Sequence, residues 1–257
     1  MRNIDPAQKP SVLRLLWLGA RSAVFYLVYI VLTLWFGFTA GLFGRWLSYR
    51  ANVAYINTWN FLVVWWLRVI CGVRYRVEGL ENIPAQRPYV ILAKHQSQWE
   101  TFFLQLPFAP ACTILKQELL DMPVFGWGLA TVKPIGIDRS APREALKKII
   151  SQGCERLHAG ICVLVFPEGT RIPVGSAGRY ARSGVDLAQK VGVPLLPVAH
   201  NAGECWPSGG FIKYPGDITV VIGKSIASDS ADSRALITHV QTWIEAEVRR
   251  VSQYTPE

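Results

Sequence analysis

The chain has no C-x-x-C pair among its five cysteines, Cys71, Cys112, Cys154, Cys162 and Cys205. An odd, scattered set excludes both a disulfide framework and a structural zinc site. Cys162 lies in an apolar, strand-like run and reads as a small buried hydrophobe. A reducing, cytoplasm-facing setting is therefore expected. No H-E-x-x-H or comparable spacing of ligands occurs, so no metal is expected. No G-x-S-x-G elbow is present, which removes one route to a serine-bound covalent intermediate. Although the net charge is +9, no run of five Lys or Arg exists. Nucleic acid is thus not an expected partner, and an anionic membrane surface or anionic substrate suits the charge better. Internal repeats and low-complexity segments are also missing.

Charge of either sign is absent for 23 positions, from Ser22 to Gly44, with Arg21 and Arg45 at the borders. A helix of that length covers about 34 Å, enough for a hydrocarbon core of about 30 Å. It is too long for a signal peptide, has no small-residue cleavage site, and is read as retained. A second apolar stretch, Ala51 to Leu67, carries Asn52, Asn57 and Asn60. Amides are costly in lipid, so an interfacial or protein-packed helix is expected there. Arg2, Lys9, Arg14 and Arg21 precede the first segment, and Arg45 and Arg50 follow it. The positive-inside comparison is nearly tied, which leaves a single span, a hairpin dipping into one leaflet, or a buried helix pair. Ten tryptophans are many for this length, and Trp17, Trp35, Trp46, Trp59, Trp65 and Trp66 suit headgroup depth.

The 257 residues allow one sizeable α/β domain and an appendage. The texture changes near residue 70, which divides membrane-associated helices over 1–70 from a domain over 71–257. Beyond that point short apolar runs alternate with helical patterns, an α/β rhythm. The expected strands are Val73–Glu78, Tyr89–Ala93, Cys112–Leu115, Val132–Ile137, Cys162–Phe166, Leu195–Ala199 and Ile218–Ile222. The expected helices are Arg143–Leu157, Ser183–Val191 and Ser233–Val251. The tail from Ser252 reads as loose.

Two strand ends carry chemistry. Lys94-His95-Gln96-Ser97-Gln98-Trp99-Glu100 follows the strand Tyr89–Ala93, placing His95 where open α/β sheets hold ligands. On one continuous helix His95 and Glu100 would point about 140° apart. They can meet if His95 lies in the turn before the helix. Ser97 and Glu100 also match the S-x-x-E capping box, and the two readings are compatible. The strand Cys162–Phe166 runs into Pro167-Glu168-Gly169-Thr170-Arg171, where Gly169 permits a tight turn and Arg171 can grip a phosphate bidentately. His158 and His239 fall in helical patterns, and His200, at a strand end, is the remaining histidine that could line the site.

The ordered blocks resemble the glycerophospholipid acyltransferase family, within it most closely the 1-acylglycerol-3-phosphate acyltransferases. His95-Gln96-Ser97-Gln98-Trp99-Glu100 is similar to the family's H-x-x-x-x-D, with Glu in place of the commoner Asp. Lys116-Gln117-Glu118-Leu119 through Ile135-Gly136-Ile137-Asp138-Arg139 is similar to its second block. Phe166-Pro167-Glu168-Gly169-Thr170-Arg171 matches its F-P-E-G-T-R, and Val193 to Val198 resembles its V-P-x-x-P-V. The resemblance implies a mixed, mostly parallel sheet flanked by helices and preceded by a membrane helix pair. It implies transfer of a fatty acyl group from acyl-CoA or acyl carrier protein to the sn-2 hydroxyl of lysophosphatidic acid. His95 would be the base and Glu100 its orienting partner, while Lys116, Arg139, Glu168, Gly169, Thr170 and Arg171 would form the acceptor-binding set. Glu168 is expected to brace the phosphate-binding loop. Neither metal nor cofactor is implied beyond the thioester co-substrate, and the setting is the inner, cytoplasmic membrane.

Overall fold

A computed structural model describes residues 11–254; Arg2 and Lys9, counted above among the flanking charges, lie outside them. The first helix, α1, runs Val12–Phe43, so it begins ten residues before the charge-free stretch. Ser11 caps it by accepting from the Arg14 N–H at 3.3 Å. Helix α2, Tyr49–Cys71, returns alongside and ends at Gly72, whose φ of 71° fits the left-handed closing position. Then follow β1 Val73–Glu78, β2 Val90–Ala93, α3 Trp99–Phe103, β3 Ala111–Lys116, α4 Gln117–Asp121, α5 Phe125–Ala130, β4 Ile135–Ile137 and α6 Pro142–His158. The chain continues through β5 Cys162–Val165, α7 Ser183–Val191, β6 Leu195–His200, α8 Ala202–Cys205, β7 Gly216–Ile222 and α9 Ser233–Val251.

The strands form one sheet in the order β1-β7-β6-β2-β5-β3-β4, parallel throughout except where β6 meets β7. This is the expected mixed, mostly parallel sheet. The central strands are buried on both faces, so alternate residues feed opposite cores. Tyr89, Ile91 and Ala93, with Cys162 and Leu164, face a core that includes Phe25, Trp59, Val63 and Leu67 of α1 and α2. Val90, Leu92, Val163 and Val165 face a core built with Leu187 of α7 and Val240 and Ile244 of α9. The fold is therefore three-layered, with the N-terminal helices supplying much of one outer layer.

Expected and observed strands differ most at Val132–Ile137, of which only Ile135–Ile137 pairs. Pro134 has no N–H for a ladder, and Lys133 adopts a φ of 52°, which turns the chain before the strand can start. The tail also departs from expectation. Glu204 accepts from the Gln253 N–H at 3.0 Å, and the Tyr254 ring lies against Gly175.

The side-chain amides of helix α2 donate within the protein. Asn52 donates to the Gly44 carbonyl at 2.9 Å, Asn57 to the Gln105 carbonyl at 3.1 Å, and Asn60 to the Asn57 side chain at 3.0 Å. Helix α1 docks on α5 through small residues. A β-carbon at Gly37 would lie 2.6 Å from the Val124 carbonyl oxygen, and one at Gly41 would lie 2.6 Å from the Trp127 Cβ. This G-x-x-x-G spacing lets the two helices approach closely. The opposite face of α1 stays apolar and exposed, as at Leu13, Trp17, Leu27, Val31, Trp35 and Phe38.

Candidate active site

Strands β2 and β5 are parallel neighbours, so the two chemistry-bearing turns emerge side by side at their carboxyl ends. Just past β2 the backbone is held on every side. The His95 N–H donates to Glu168 Oε2 at 2.8 Å, and its carbonyl accepts from the Ile172 N–H at 2.8 Å. The Lys94 N–H donates to the Val198 carbonyl at 3.0 Å, and the Lys94 carbonyl pairs with His200 Nε2 at 2.9 Å.

The imidazole of His95 stacks on the Phe166 ring with centroids 4.2 Å apart, and its Nδ1 lies 2.9 Å from Glu100 Oε1. The same carboxylate oxygen accepts from the N–H groups of Gln96 at 2.9 Å and Ser97 at 2.7 Å. Helix α3 starts at Trp99 with Gln98 as its cap residue, so Glu100 sits in the first turn and reaches back toward the preceding loop. The extra methylene of Glu is absorbed by this return. Only half of a capping box forms, because the Ser97 hydroxyl accepts from the Trp99 N–H at 3.1 Å instead of the Glu100 N–H. Burial alone would raise the Glu100 carboxyl, but His200, His95 and the Ser97 N–H hold it below its ordinary value. An ionised carboxylate only accepts, so Nδ1 of His95 donates to it, and in the neutral tautomer the lone pair stands on Nε2.

His95 opens onto a cavity of about 1100 Å³. Ile30, Leu34, Val53, Ile56, Phe125 and Leu129 contribute apolar wall, and Lys116, Arg139, Gly169, Thr170 and Arg171 contribute polar wall. Burial and the Arg171 charge both lower the Arg139 pKa from its usual value, so the two guanidiniums share one region. Among the described residues neither has a carboxylate within ion-pair distance, which leaves both available to an anion. Lys116 is half-exposed and lies 3.6 Å from Glu118. Gly169 turns the loop with a φ of 67°.

Glu168, grouped by the resemblance with the acceptor-binding residues, is sealed instead. Its side chain is 0% exposed; Oε1 accepts from Lys94 Nζ at 2.6 Å while Oε2 holds the His95 N–H. It braces the turn and touches no part of the cavity wall. His200, read as a candidate to line the site, is buried behind it. Its Nδ1 accepts from the Ala202 N–H at 3.2 Å, so Nε2 donates to the Lys94 carbonyl; burial pushes its pKa down. Among the described residues no three His, Cys, Asp or Glu side chains are grouped to hold a metal ion.

Sequence reasoning missed Lys94, which is 0% exposed between two carboxylates, and Glu245, the second of them, 2.8 Å away on α9. A signal existed for Glu245: it sits among Ile237, Val240, Ile244 and Val248 on the buried side of the helix, where a lone charge requires a partner. The stacking role of Phe166 was also not read.

Comparison with known proteins agrees with this architecture. A sequence model of the Acyltransferase family matches residues 74–201. A Pseudomonas aeruginosa protein named 1-acyl-sn-glycerol-3-phosphate acyltransferase is 45% identical over 90% of this chain and 91% of its own length. A Brassica napus chloroplast protein named 1-acyl-sn-glycerol-3-phosphate acyltransferase BAT2 is 29% identical over 67% of this chain, which spans about half of it (52%). The crystal structure of the 1-acyl-sn-glycerophosphate (LPA) acyltransferase PlsC from Thermotoga maritima superposes with a TM-score of 0.69 at 25% identity, covering 91% of this chain and 100% of that one. With a histidine–carboxylate pair at one strand end, a basic loop at the next and relatives of this kind, the chain belongs to the acyltransferase family, among relatives named 1-acyl-sn-glycerol-3-phosphate acyltransferases.

Proposed function

We propose that this chain transfers a fatty acyl group from acyl-CoA or acyl carrier protein to the sn-2 hydroxyl of lysophosphatidic acid, giving phosphatidic acid. The observation that carries the reading is the 2.9 Å contact of His95 Nδ1 with Glu100, which leaves Nε2 free at a largely apolar cavity rimmed by Arg139 and Arg171. An alcohol is a poor nucleophile at neutral pH and needs a base, while a thiolate leaves readily. His95 Nε2 takes the proton as the hydroxyl oxygen attacks the thioester carbon. The C–S bond then breaks, and the proton passes to the departing sulfur. Glu100 fixes the tautomer and stabilises the imidazolium as it forms. Arg139 and Arg171, with Lys116 at the rim, hold the acceptor's phosphate. No metal or cofactor takes part in this scheme, and activity should survive a chelator.

The reading also assigns residues 1–70 to membrane attachment and 71–257 to catalysis. Both α1 and α2 are long and apolar enough to cross a bilayer. Because one face of α1 is docked along the protein body, a bed of helices lying in one leaflet suits the molecule better than a perpendicular span. The lysolipid then enters from the bilayer and the thioester from water, on the cytoplasmic side of the inner membrane.

The test mixes purified protein in detergent with lysophosphatidic acid and a long-chain acyl-CoA, then follows free thiol and phosphatidic acid together. Both should appear in equal amounts, and His95→Ala should lower kcat by about 10²–10⁴-fold. Thiol release without lipid product would replace the reading with a thioesterase. Preference for glycerol 3-phosphate or another lysolipid in competition would change the acceptor.

A further inference from the structure

Behind the cavity lies a buried charge cluster to which the reaction scheme gives no role. Lys94 Nζ donates to Glu168 Oε1 at 2.6 Å, to Glu245 Oε1 at 2.8 Å and to the Ser176 carbonyl at 3.3 Å. An ammonium has three donors, and all three are used. Tyr180 adds a fourth tie, its hydroxyl donating to Glu245 Oε1 at 2.9 Å. Glu245 stands on α9, beyond the segment matched by the family model, which ends at residue 201.

The same face of α9 grips the loop that leaves Arg171. At four-residue spacing along the helix, Gln241 donates to the Gly178 carbonyl at 3.1 Å and Glu245 holds Tyr180. That loop begins with Ile172, whose N–H holds the His95 carbonyl. Glu168, drawn to Lys94, holds the His95 N–H. One chain of contacts therefore runs from α9 through Lys94 and Glu168 to the N–H of His95, and a second runs from α9 to the loop that follows Arg171, whose Ile172 N–H holds the His95 carbonyl.

We propose that Glu245, with Tyr180, is a positioning residue for the transfer reaction: it anchors Lys94 and the loop after Arg171 to α9, fixing the approach of His95 to the acceptor hydroxyl. This inference rests on the acyltransfer reading of the site. Glu245 touches no cavity wall and exerts its effect through Lys94. A base displaced by a fraction of an ångström keeps its substrate affinity and loses rate. The effect should therefore fall on kcat, with the KM values for lysolipid and thioester kept within about twofold.

Three variants separate positioning from simple support: Glu245→Gln, which keeps an acceptor oxygen and loses the charge, Glu245→Leu, and Tyr180→Phe. With the thiol-release assay and melting curves measured side by side, kcat should fall by about threefold for Tyr180→Phe, about tenfold for Glu245→Gln and more for Glu245→Leu. If Glu245 acts through Lys94, the double variant Lys94→Met/Glu245→Leu should lose little more kcat than Lys94→Met alone. A Glu245→Gln protein that melts earlier but keeps wild-type kcat would overturn the inference, as would losses that multiply in the double variant. Should Glu245→Leu fail to fold, Tyr180→Phe and Glu245→Gln decide between the outcomes. A wild-type chain inactive toward every lysolipid would instead remove the acyltransfer reading, and the inference with it.

Discussion

Two lysines are buried to within one per cent of full enclosure, and the molecule neutralises them in opposite ways. Lys94, at the end of β2, sits between two carboxylates. Lys213, in the loop before β7, has no carboxylate within reach among the described residues. Its Nζ donates to the Tyr26 hydroxyl at 2.8 Å and to the carbonyls of Gly210 at 2.9 Å and Phe211 at 2.8 Å. The rings of Tyr26 and Trp206 lie 4.6 and 4.8 Å away. The first lysine ties together β2, the turn after β5 and α9. The second ties α1 to the rim of the sheet, helped by the Lys213 N–H donating to Ser22 Oγ at 2.8 Å. Fixed charges therefore organise the candidate active site, while polarisable rings and carbonyls fasten the long apolar helix α1.

The largest effect should come from breaking the ionic side. Lys94→Met leaves Glu168 and Glu245 facing each other in a dry site, where loss of one partner of a buried pair typically costs about 3–5 kcal/mol. Desolvation already raises the Glu168 pKa, so this carboxyl is the one expected to take up a proton once its ammonium partner is gone. Thermal or denaturant unfolding should show the full loss, and the folded fraction should have little activity because Glu168 no longer orients the His95 N–H. Retention of wild-type stability would mean that the cluster contributes nothing net.

Disturbing the helix-docking side should cost less. Gly37→Val forces a side chain against the Val124 carbonyl, and overpacking of this kind costs about 1–3 kcal/mol. Because His95 is held from β5 and α9, the kcat of the folded protein in detergent should stay within about threefold of wild type. A collapse of kcat in Gly37→Val would show instead that α1 docking sets the geometry of the base, and would erase the distinction between the two regions.

How much of this could be read from the sequence follows the same division. His95, Glu100 and Arg171 were legible because each lies in the short segment just past an apolar strand run, and a parallel sheet gathers strand ends at one edge. The strand order was not legible, nor was the antiparallel pairing of β6 with β7, since register depends on partners far along the chain. Lys94 was given no role, although it stands directly before His95. Its partners Glu168 and Glu245 are 74 and 151 positions away, and only the fold brings them together. The amides of α2 signalled a helix uneasy in lipid, but their partners, such as the Gln105 carbonyl, were invisible. Gly37 and Gly41 spelled out a docking stripe inside a segment whose hydrophobicity drew all the attention.

The smallest and most specific effect concerns pH. Burial lowers the Lys213 pKa to about 8, whereas an unfolded lysine holds its proton to about 10.4. Between those values the unfolded chain binds more protons than the folded one, so this group makes stability rise with pH, by at most about 1.4 kcal/mol per pH unit. Below pH 8 both states are protonated and the contribution is flat. Lys213→Met removes the titration while filling the same apolar space between Tyr26 and Trp206. Melting curves of both proteins, taken from pH 7 to 10.5, should diverge only above pH 8, with wild type gaining relative to the variant; other groups titrate equally in both and cancel. Parallel curves across the whole range would show that the ammonium is not desolvated as its surroundings indicate. The contrast with Lys94, whose counter-charges lie within 2.8 Å, would then lose its physical basis.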